Sequence, residues 1–333
     1  MEGSLAMRVL YHDKCFDGAC SAALFTRFHR ECIGGDGAYD YRGLLHKAGG
    51  MGNEIFGEGE NAIVDFKYTT SPRLTWWFDH HLSAFASDDD RRHFETVGVA
   101  SGRQFYDAEY TSCTTFIAHI AKTRFGFDTT GLEELLYWAD IVDGAKYESA
   151  KAAVEMEAPA MKLTLVIENA TGDLVPRMIP LLTAESLQQV LDRPFVQERV
   201  APLLEQHWRA LEVIRERSTV ERGVITFDLT DVTMEAYSKF IPYYLFPNAT
   251  YVVGLSKSSF RTKISVGTNP WFAQITPPVA ESELINLAAI CERFGGGGHA
   301  RVGAISLGLD QEDEARRVAG VIAGELRAGN AQG

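Results

Sequence analysis

Residues 74–81 form a short apolar and aromatic run that ends in one carboxylate and two imidazoles, Asp79-His80-His81. A run of this length and composition is typical of a buried β-strand. In open α/β sheets, ligands bind at the C-terminal ends of the strands. Oxygen and imidazole nitrogen together suit manganese, zinc or iron better than calcium or magnesium. Taken alone, the triplet is also explained as a capping aspartate followed by two surface histidines.

Two earlier apolar runs, at 7–11 and 61–64, also stop at residues that can bind a metal. The first is followed by His12 and then by Asp17 at the start of a helical pattern, and the second by Asp65. His12 and Asp17 each have a structural alternative, as a strand-end histidine bonded to backbone and as a carboxylate favoured by a helix dipole. Because parallel strands end at one edge of a sheet, we expect all of these residues to converge with the triplet.

A helical pattern that begins after Gly131 carries two further acids, Asp140 and Asp143. They are three residues apart and therefore share a face. Asp140 lies beside apolar residues, where burying a carboxylate without a partner is unfavourable. A metal would relieve this cost, and so would an arginine or a backbone cap. We predict Asp140 as the metal ligand and keep Asp143 as the alternative.

The second half of the chain has a different pattern. Residues 151–217 are helical in pattern but interrupted by prolines, and they end in one long helix predicted at 194–217. Beyond residue 218, strands alternate with helices, which predicts a second, smaller α/β or α+β domain. The sequence is thus divided into three segments: 7–150, 151–217 and 218–330.

Four consecutive glycines, Gly295 to Gly298, precede His299 between a predicted helix and a predicted strand. Without side chains, backbone amides can approach an anion closely and form a concave nest. A flexible linker is the alternative, but we do not expect one between a helix and a strand. We predict phosphate binding here, with Arg261 either as a further ligand of the anion or as an exposed strand residue. A second glycine group, at 49–52, is a poor phosphate loop because no Gly-Lys-Ser/Thr follows.

Composition limits the partners and the compartment. At 333 residues the chain exceeds one ordinary core, which predicts two domains. The net charge of −13 argues against a long nucleic-acid track but not against a small anionic substrate. The cysteines are scattered without a CxxC pair, which indicates a reducing compartment. With neither a signal-peptide pattern nor an apolar run long enough for a membrane span, we expect a cytoplasmic protein with no membrane partner.

These segments together resemble the DHH phosphoesterase family with its C-terminal DHH-associated domain, over nearly the whole chain. The motifs that carry the resemblance are, in order, His12…Asp17-Gly18, Asp65, Asp79-His80-His81, Asp140 and Gly295–Gly298 with His299. Members include RecJ-type exonucleases, nano-RNases that also act on adenosine bisphosphate, cyclic dinucleotide phosphodiesterases and family II pyrophosphatases. The resemblance implies a parallel-sheet α/β catalytic domain, a helical linker and a smaller α/β substrate-binding domain for the three segments, with a di-manganese site in the cleft.

The resemblance also implies roles for individual residues. The metal ligands would be His12, Asp17, Asp65, His80 and Asp140. Asp65 would bridge the ions, His81 would face the phosphate, and Asp79 would orient the imidazoles, so that His80, His81 and Asp79 form the catalytic set. The terminal phosphate or the nucleotide would be held by Arg261, Gly296, Gly297, Gly298 and His299.

The sequence departs from the family pattern at Cys15, where the first motif usually has a second aspartate two residues before the position of Asp17. A thiolate is a softer ligand than manganese prefers, so we expect one metal position to be weak, altered or selective for zinc or iron. Asp13 is an alternative ligand. A subgroup of the family has a His…Cys-x-Asp-Gly version, which this motif resembles.

We therefore predict a metal-dependent phosphoesterase that hydrolyses phosphodiester bonds of short oligonucleotides or small nucleotides with metal-activated water. The expected cofactor is one or two manganese ions, with zinc, iron or magnesium as alternatives. The acidic charge disfavours processive degradation of long DNA. Three other functions stay open: a phosphatase of pyrophosphate or a nucleotide bisphosphate, a non-hydrolytic nucleotide sensor with a degenerate metal site, and a structural partner protein. The sequence does not determine the oligomeric state, and a homodimer is one of the alternatives that it leaves open.

Overall fold

The computed structural model describes residues 7–34, 37–45, 51–232, 234 and 237–330. The chain divides into two compact units, of which the first comprises residues 1–147 and 156–203 and the second residues 148–155 and 204–333. The assignment of catalytic, linker and substrate-binding roles to the three sequence segments stays a prediction. Residues 49 and 50 of the second glycine group lie outside the described residues.

The first unit is built on a five-stranded sheet in the order β2-β1-β3-β4-β5, and every neighbouring pair of strands is parallel. The strands are β1 (Met7–His12), β2 (Tyr39–Leu44), β3 (Asn61–Val64), β4 (Trp76–Asp79) and β5 (Gln104–Tyr106). Every residue of β3 and β4 is buried. Strands that are covered on both faces are mainly apolar rather than alternating, which is the pattern that predicted them. The predicted N-terminal parallel-sheet domain is confirmed.

Both faces of this sheet are covered by aromatic side chains. Trp76 and Phe78 point to one face, where their ring centroids lie 5.9 and 6.0 Å from that of Phe25. Trp77 points to the other face, 5.1 Å from Phe94. Because successive side chains of a strand point to opposite faces, the aromatic run in β4 joins the two layers of core.

Thirteen α-helices lie along the chain within the described residues. They are α1 (Phe16–Phe28), α2 (Asp88–His93), α3 (Val99–Ser101), α4 (Cys113–Phe125), α5 (Glu133–Asp143), α6 (Ala150–Val154), α7 (Pro159–Glu168), α8 (Leu174–Met178), α9 (Leu187–Leu191), α10 (Pro194–Arg217), α11 (Ile241–Leu245), α12 (Leu287–Glu292) and α13 (Glu312–Asn330). Helix α1 packs against α4 and α5 in the first unit. The long helix predicted at 194–217 is confirmed at both bounds as α10.

The second unit contains a six-stranded mixed sheet in the order β10-β11-β9-β8-β7-β6, in which only β7 and β8 are parallel neighbours. The strands are β6 (Thr219–Glu221), β7 (Val224–Leu229), β8 (Tyr251–Lys257), β9 (Thr262–Thr268), β10 (Gly297–His299) and β11 (Val302–Leu307). Val318, Ile322 and Leu326 repeat at four-residue spacing along α13 and are buried in the core with residues of β7, β8 and β9. The predicted smaller α/β domain is confirmed.

Candidate metal centre and anion site

Three neighbouring strands of the first sheet end at the same edge, and each one delivers polar side chains there. His12 is the last residue of β1, Asp65 directly follows β3, and Asp79 ends β4 with His80 and His81 after it. Since β1, β3 and β4 are adjacent and parallel, their C-terminal ends lie side by side. The strand ends therefore bring these five residues together.

Asp65 lies at the centre of this group. Its side chain is fully buried, and its backbone adopts a φ of 57°, a left-handed conformation that is costly for a residue with a side chain. One carboxylate oxygen lies 3.3 Å from Nδ1 of His12, and the other lies 3.4 Å from Nε2 of His80. Burial alone would raise the pKa of Asp65, but the neighbouring imidazoles outweigh it and lower that pKa to about 2. The carboxylate is thus kept charged inside the protein.

Asp17 reaches the same group from the first turn of α1, and the N-terminus of α4 holds it there. Its carboxylate accepts the backbone N–H of Cys113 at 2.7 Å and that of Thr114 at 3.0 Å. The Thr114 hydroxyl donates a third hydrogen bond, at 2.5 Å. Burial and the charge of Asp65 raise the pKa of Asp17 well above its usual value. From the sequence, a carboxylate stabilised by a helix N-terminus is one alternative for Asp17. The structure shows such a contact, but the helix is α4 and not α1, which contains Asp17.

The triplet after β4 is arranged by Asp79. Its Oδ1 accepts the backbone N–H of His80 at 2.8 Å, and it bonds Nδ1 of His81 at 2.6 Å. His80 uses Nδ1 to donate to the Tyr110 carbonyl at 3.1 Å, which turns its Nε2 towards Asp65. Burial opposes protonation of His80, but Asp65 and Asp17 raise its pKa to about 10. Each imidazole thus has one nitrogen fixed and the other available.

The acid of α5 that joins this group is Asp143, not Asp140. Asp143 Oδ2 lies 3.6 Å from Nε2 of His80. Asp140 instead accepts the Ser112 hydroxyl at 2.6 Å and that of Thr115, at the start of α4. It lines a separate cavity of about 390 Å³. The hydroxyls of α4 thus hold Asp140, and the acid of α5 that lies with Asp17 and His80 is Asp143. We therefore propose Asp143 in place of Asp140 as the metal ligand of α5.

Cys15 belongs to the group of possible ligands that contains His12 and Asp65, not to the group that contains Asp143. A ligand atom of His12, the sulfur of Cys15 and a carboxylate oxygen of Asp65 all lie within 4.8 Å of one another. Burial and the charges of Asp65 and Asp17 raise the pKa of the Cys15 thiol. Asp13, the alternative considered for this position, bonds the N–H of Lys14 at 2.9 Å, and its carboxyl carbon lies 2.5 Å from where a Cβ on Gly43 of β2 would be. Asp13 is therefore turned towards β2.

Comparison with known protein families finds no match for this sequence, and comparison with curated proteins finds none either. Solved structures do match. The chain is similar to the pGpG-specific phosphodiesterase PggH from Vibrio cholerae, with a TM-score of 0.70 and 18% identity over 97% of this chain and 99% of that chain. It is also similar to the DHH domain of a member of a family of ribosomal proteins, with a TM-score of 0.55 and 12% identity over 95% and 86%. RecJ from Thermus thermophilus, solved in complex with Mn²⁺, matches with a TM-score of 0.53 and 10% identity over 97% and 52%. The chain has the DHH fold.

In this DHH fold, the residues at the sheet edge fit a divalent metal. Both oxygens of Asp65 and Nε2 of His80 are buried, and none of these atoms has a well-formed hydrogen bond among the described residues. Buried carboxylates without such partners are unfavourable unless a cation compensates them. Three sets of residues each offer ligand atoms that lie within 4.8 Å of one another. The sets are His12, Cys15 and Asp65; Asp65, His80 and His81; and Asp17, His80 and Asp143.

The glycine segment of the second unit is a paired strand rather than a linker. Gly297 to His299 form β10, which pairs antiparallel with β11. A Cβ on Gly296 would lie 2.3 Å from the Ala304 carbonyl oxygen, and one on Gly298 would lie 2.2 Å from that of Val302. A Cβ on Gly297 would meet nothing within 4 Å. Two of the glycines are therefore needed for strand packing, whereas Gly297 borders open space.

Arg261 directly precedes β9 and contacts β11, the strand that pairs with β10. Its Nη1 donates to the Ser306 hydroxyl at 3.0 Å, and its guanidinium lies 5.1 Å from the centre of the Phe260 ring. Ser306 is two residues along β11 from Ala304, the residue that pairs with Gly297. Two strand residues span roughly 7 Å, so Arg261 and Gly297 lie along the same stretch of β11. His299 ends β10 and is exposed.

Two parts of the site were not identified from the sequence. The backbone amides of Cys113 and Thr114 hold Asp17, and a serine at Ser112 before an apolar helix is the signal that marks this helix start. Asp143 was kept only as the alternative to Asp140, because acids three apart on one helix face cannot be distinguished by spacing.

Among the residues that the structure describes, no helix is both long and apolar enough to cross a membrane.

Proposed function

We propose that the protein is a divalent-metal-dependent phosphodiesterase of short oligonucleotides or small nucleotides. The observation that carries the proposal is the buried set of carboxylates and imidazoles around Asp65 at the C-terminal edge of the parallel sheet. The DHH fold supports it, because PggH, a pGpG-specific phosphodiesterase, matches over 99% of its length. We therefore take the linear dinucleotide pGpG as the first substrate to test.

Asp65 is the residue that we propose to bridge two metal positions. One position lies towards His12, and the other towards Asp17, His80 and Asp143. We propose manganese for the second position, since carboxylate oxygens dominate its ligands. When bound, such ions supply an activated water and neutralise charge on a phosphate.

His81 is suited to contact the substrate phosphate. Its Nδ1 is bonded to Asp79, which leaves Nε2 available to donate outward from a side chain that is 35% exposed. Burial lowers the pKa of His81, but Asp79 and Asp65 outweigh it and raise that pKa. We propose that a protonated His81 donates to a phosphate oxygen and that Asp79 acts as its positioning residue.

The second unit is proposed to hold the terminal phosphate or the nucleotide. Support comes from the open space at Gly297, the exposed position of His299, and the guanidinium of Arg261 beside β11, the strand that pairs with β10. Backbone amides and a planar guanidinium are both good partners for a phosphate. Gly296 and Gly298 would allow the backbone to approach without a side chain in the way.

The substrate is expected to be short because the chain has a net charge of −13, which opposes binding along a polyanion. We also propose a cytoplasmic location, because the cysteines are scattered without a CxxC pair, which is typical of proteins from a reducing compartment.

A hydrolysis assay tests the function directly. Purified protein is stripped of metal, reloaded with Mn²⁺ and given pGpG, a pentanucleotide, a long single strand, pyrophosphate and adenosine bisphosphate. We expect dinucleotide cleavage that needs the metal. The His80→Ala variant should lose it, whereas His93→Ala, whose imidazole bonds the Tyr68 hydroxyl outside the cluster, should keep it.

Three results would contradict the proposal. Full activity of His80→Ala would remove the metal centre from the reaction. Tight binding of pGpG without turnover by the metal-loaded protein would favour a nucleotide sensor. Turnover of pyrophosphate or the bisphosphate alone would favour a phosphatase.

A further inference from the structure

We propose that the two metal positions are chemically different, and that Cys15 makes the position beside His12 selective for a thiophilic divalent ion such as Zn²⁺, Fe²⁺ or Co²⁺. The position formed by Asp17, His80 and Asp143 would remain a site for a hard ion such as Mn²⁺. This inference rests on the metal centre of the proposed function and states which ion each half of it takes.

The geometry places the Cys15 sulfur in the ligand set. Sulfur, a nitrogen of His12 and an oxygen of Asp65 lie within 4.8 Å of one another, the spacing that one ion needs. Asp65 is fully buried, and its two oxygens lack well-formed hydrogen bonds among the described residues. The sulfur therefore lies beside a buried carboxylate and an imidazole nitrogen and is not an isolated thiol.

The loop between β1 and α1 holds Cys15 in this position. Lys14 has a φ of 56°, so the chain reverses sharply just before the cysteine. A Cβ on Gly18 would lie 2.1 Å from the His12 carbonyl oxygen, so the loop closes directly on the strand end. Cys15 itself precedes the first residue of α1 with an extended backbone. A tight loop of this kind fixes the sulfur against His12 and Asp65.

Asp13, the nearby carboxylate that could have replaced Cys15 as a metal ligand, points away from His12 and Asp65. Asp13 bonds the Lys14 N–H at 2.9 Å and packs towards Gly43 of β2. It belongs to none of the ligand groups that the described residues form. The sulfur is therefore the third donor of this position, and no oxygen from Asp13 replaces it.

The donor sets of the two positions differ in softness. Thiolate, imidazole and one carboxylate oxygen are the ligands of zinc and iron sites, and a thiolate disfavours manganese and magnesium. The other position offers oxygens of Asp17 and Asp143 with a single imidazole, the combination that suits manganese. Asp65 Oδ1 lies 3.4 Å from Nε2 of His80, so the carboxylate of the first set also lies beside the second set.

The experiment is a Co²⁺ titration of the metal-free, full-length protein followed by absorbance, which needs no catalytic turnover. A sulfur-to-cobalt charge-transfer band should appear in the near ultraviolet as the first ion binds. The band should be missing from Cys15→Asp and Cys15→Ser, and it should persist in Cys32→Ser, a partly buried cysteine outside the ligand groups. Circular dichroism of each variant shows that it has folded.

Competition between Zn²⁺ and Mn²⁺ gives the second readout. Cys15→Asp should lower the preference for Zn²⁺ over Mn²⁺ at the position beside His12 by at least about tenfold. Loss of a residue that only hydrogen-bonds a metal ligand already lowers metal affinity by that factor, and Cys15 is proposed as a ligand itself. The inference is overturned if a folded Cys15→Asp keeps the band or the wild-type preference, or if the wild-type protein binds Co²⁺ without any band. Since binding is measured without turnover, a band in a protein that cleaves nothing would overturn the proposed function and leave this inference standing.

Discussion

The carboxylate of Asp17 accepts the backbone N–H of Cys113 at 2.7 Å, although the two residues are 96 positions apart in the chain. The contact joins the start of α1 to the start of α4. Unpaired amides at a helix N-terminus are natural partners for a carboxylate. Because Asp17 is held from behind in this way, its remaining lone pairs are directed towards His80 and the cluster.

A first prediction concerns the threonine hydroxyl that completes this contact. Thr114→Val removes a buried hydrogen bond to a carboxylate, at 2.5 Å in the structure, and leaves the two amide bonds in place. We expect the free energy of unfolding to fall by about 1–3 kcal/mol. Urea denaturation measures it. Thr123→Val on the same helix, where the hydroxyl is exposed, should change stability by less than about 0.5 kcal/mol.

The two acids of α5 provide a matched pair of variants. Asp143→Asn should lower the affinity for Mn²⁺ by at least about tenfold and remove hydrolysis, because it takes a charged ligand from the group with Asp17 and His80. Asp140→Asn should leave Mn²⁺ affinity unchanged, since the Ser112 and Thr115 hydroxyls can still donate to an amide oxygen. Isothermal titration calorimetry compares them. The reverse result would restore Asp140 as the ligand.

Asp79 is predicted to act through the histidines that it orients. Asp79→Asn retains an oxygen for the backbone N–H groups but loses the charge that fixes His81. We expect kcat to fall by about 10–100-fold while Mn²⁺ still binds. Steady-state kinetics at saturating metal give kcat and KM separately. A change confined to metal affinity would show that Asp79 is not the positioning residue for His81.

Adjacent glycines of β10 separate strand packing from anion binding. Gly298→Ala should destabilise the second unit by more than about 1 kcal/mol, because this residue has a φ of 152° and its Cβ would lie 2.2 Å from the Val302 oxygen. Gly297→Ala has room for its Cβ and should retain stability, but it should raise KM for a substrate with a terminal phosphate. Thermal denaturation and kinetics together test this. An unchanged KM in Gly297→Ala would speak against a phosphate site here.

His207 of α10 is predicted to make stability depend on pH. It is buried, and Nε2 donates to the Val154 carbonyl at 2.8 Å. Burial lowers the pKa of His207 below the value of about 6.5 that histidine has in an unfolded chain. Below that pH the unfolded chain binds a proton that the folded protein does not, so the free energy of unfolding falls as the pH falls through this window.

The measurement for His207 is urea denaturation of the wild type and of His207→Gln at about pH 7.5 and about pH 5.5. Above the unfolded pKa the histidine is neutral in both states, and the two proteins should show a constant difference in stability. At the lower pH the wild type should lose more stability than the variant. Equal losses would show that His207 does not contribute to the pH dependence.

Much of the first unit could be predicted because its strands are local patterns. The runs that lead to His12, Asp65 and Asp79 are mainly apolar, as is typical of buried parallel strands, and each ends at a side chain that can bind a metal. The long helix α10 was predicted at its observed bounds from its local helical pattern, and its first residue, Pro194, is favoured at a helix start. The glycines before His299 also signalled a position where backbone must come close to its surroundings.

The sequence by itself determined that residues able to bind a metal follow apolar runs, and the C-terminal ends of such runs share one edge in any parallel sheet. The order of the strands, which places β1, β3 and β4 side by side, is a property of the folded sheet. The rotation of α5 about its axis, which selects Asp143 over Asp140, depends on how that helix packs against α4. The same holds for the amides of α4 that hold Asp17, and for the strained backbone of Asp65. These contacts lie far apart in sequence, so only tertiary packing could decide them, because a helix face has no fixed partner until its neighbours are in place.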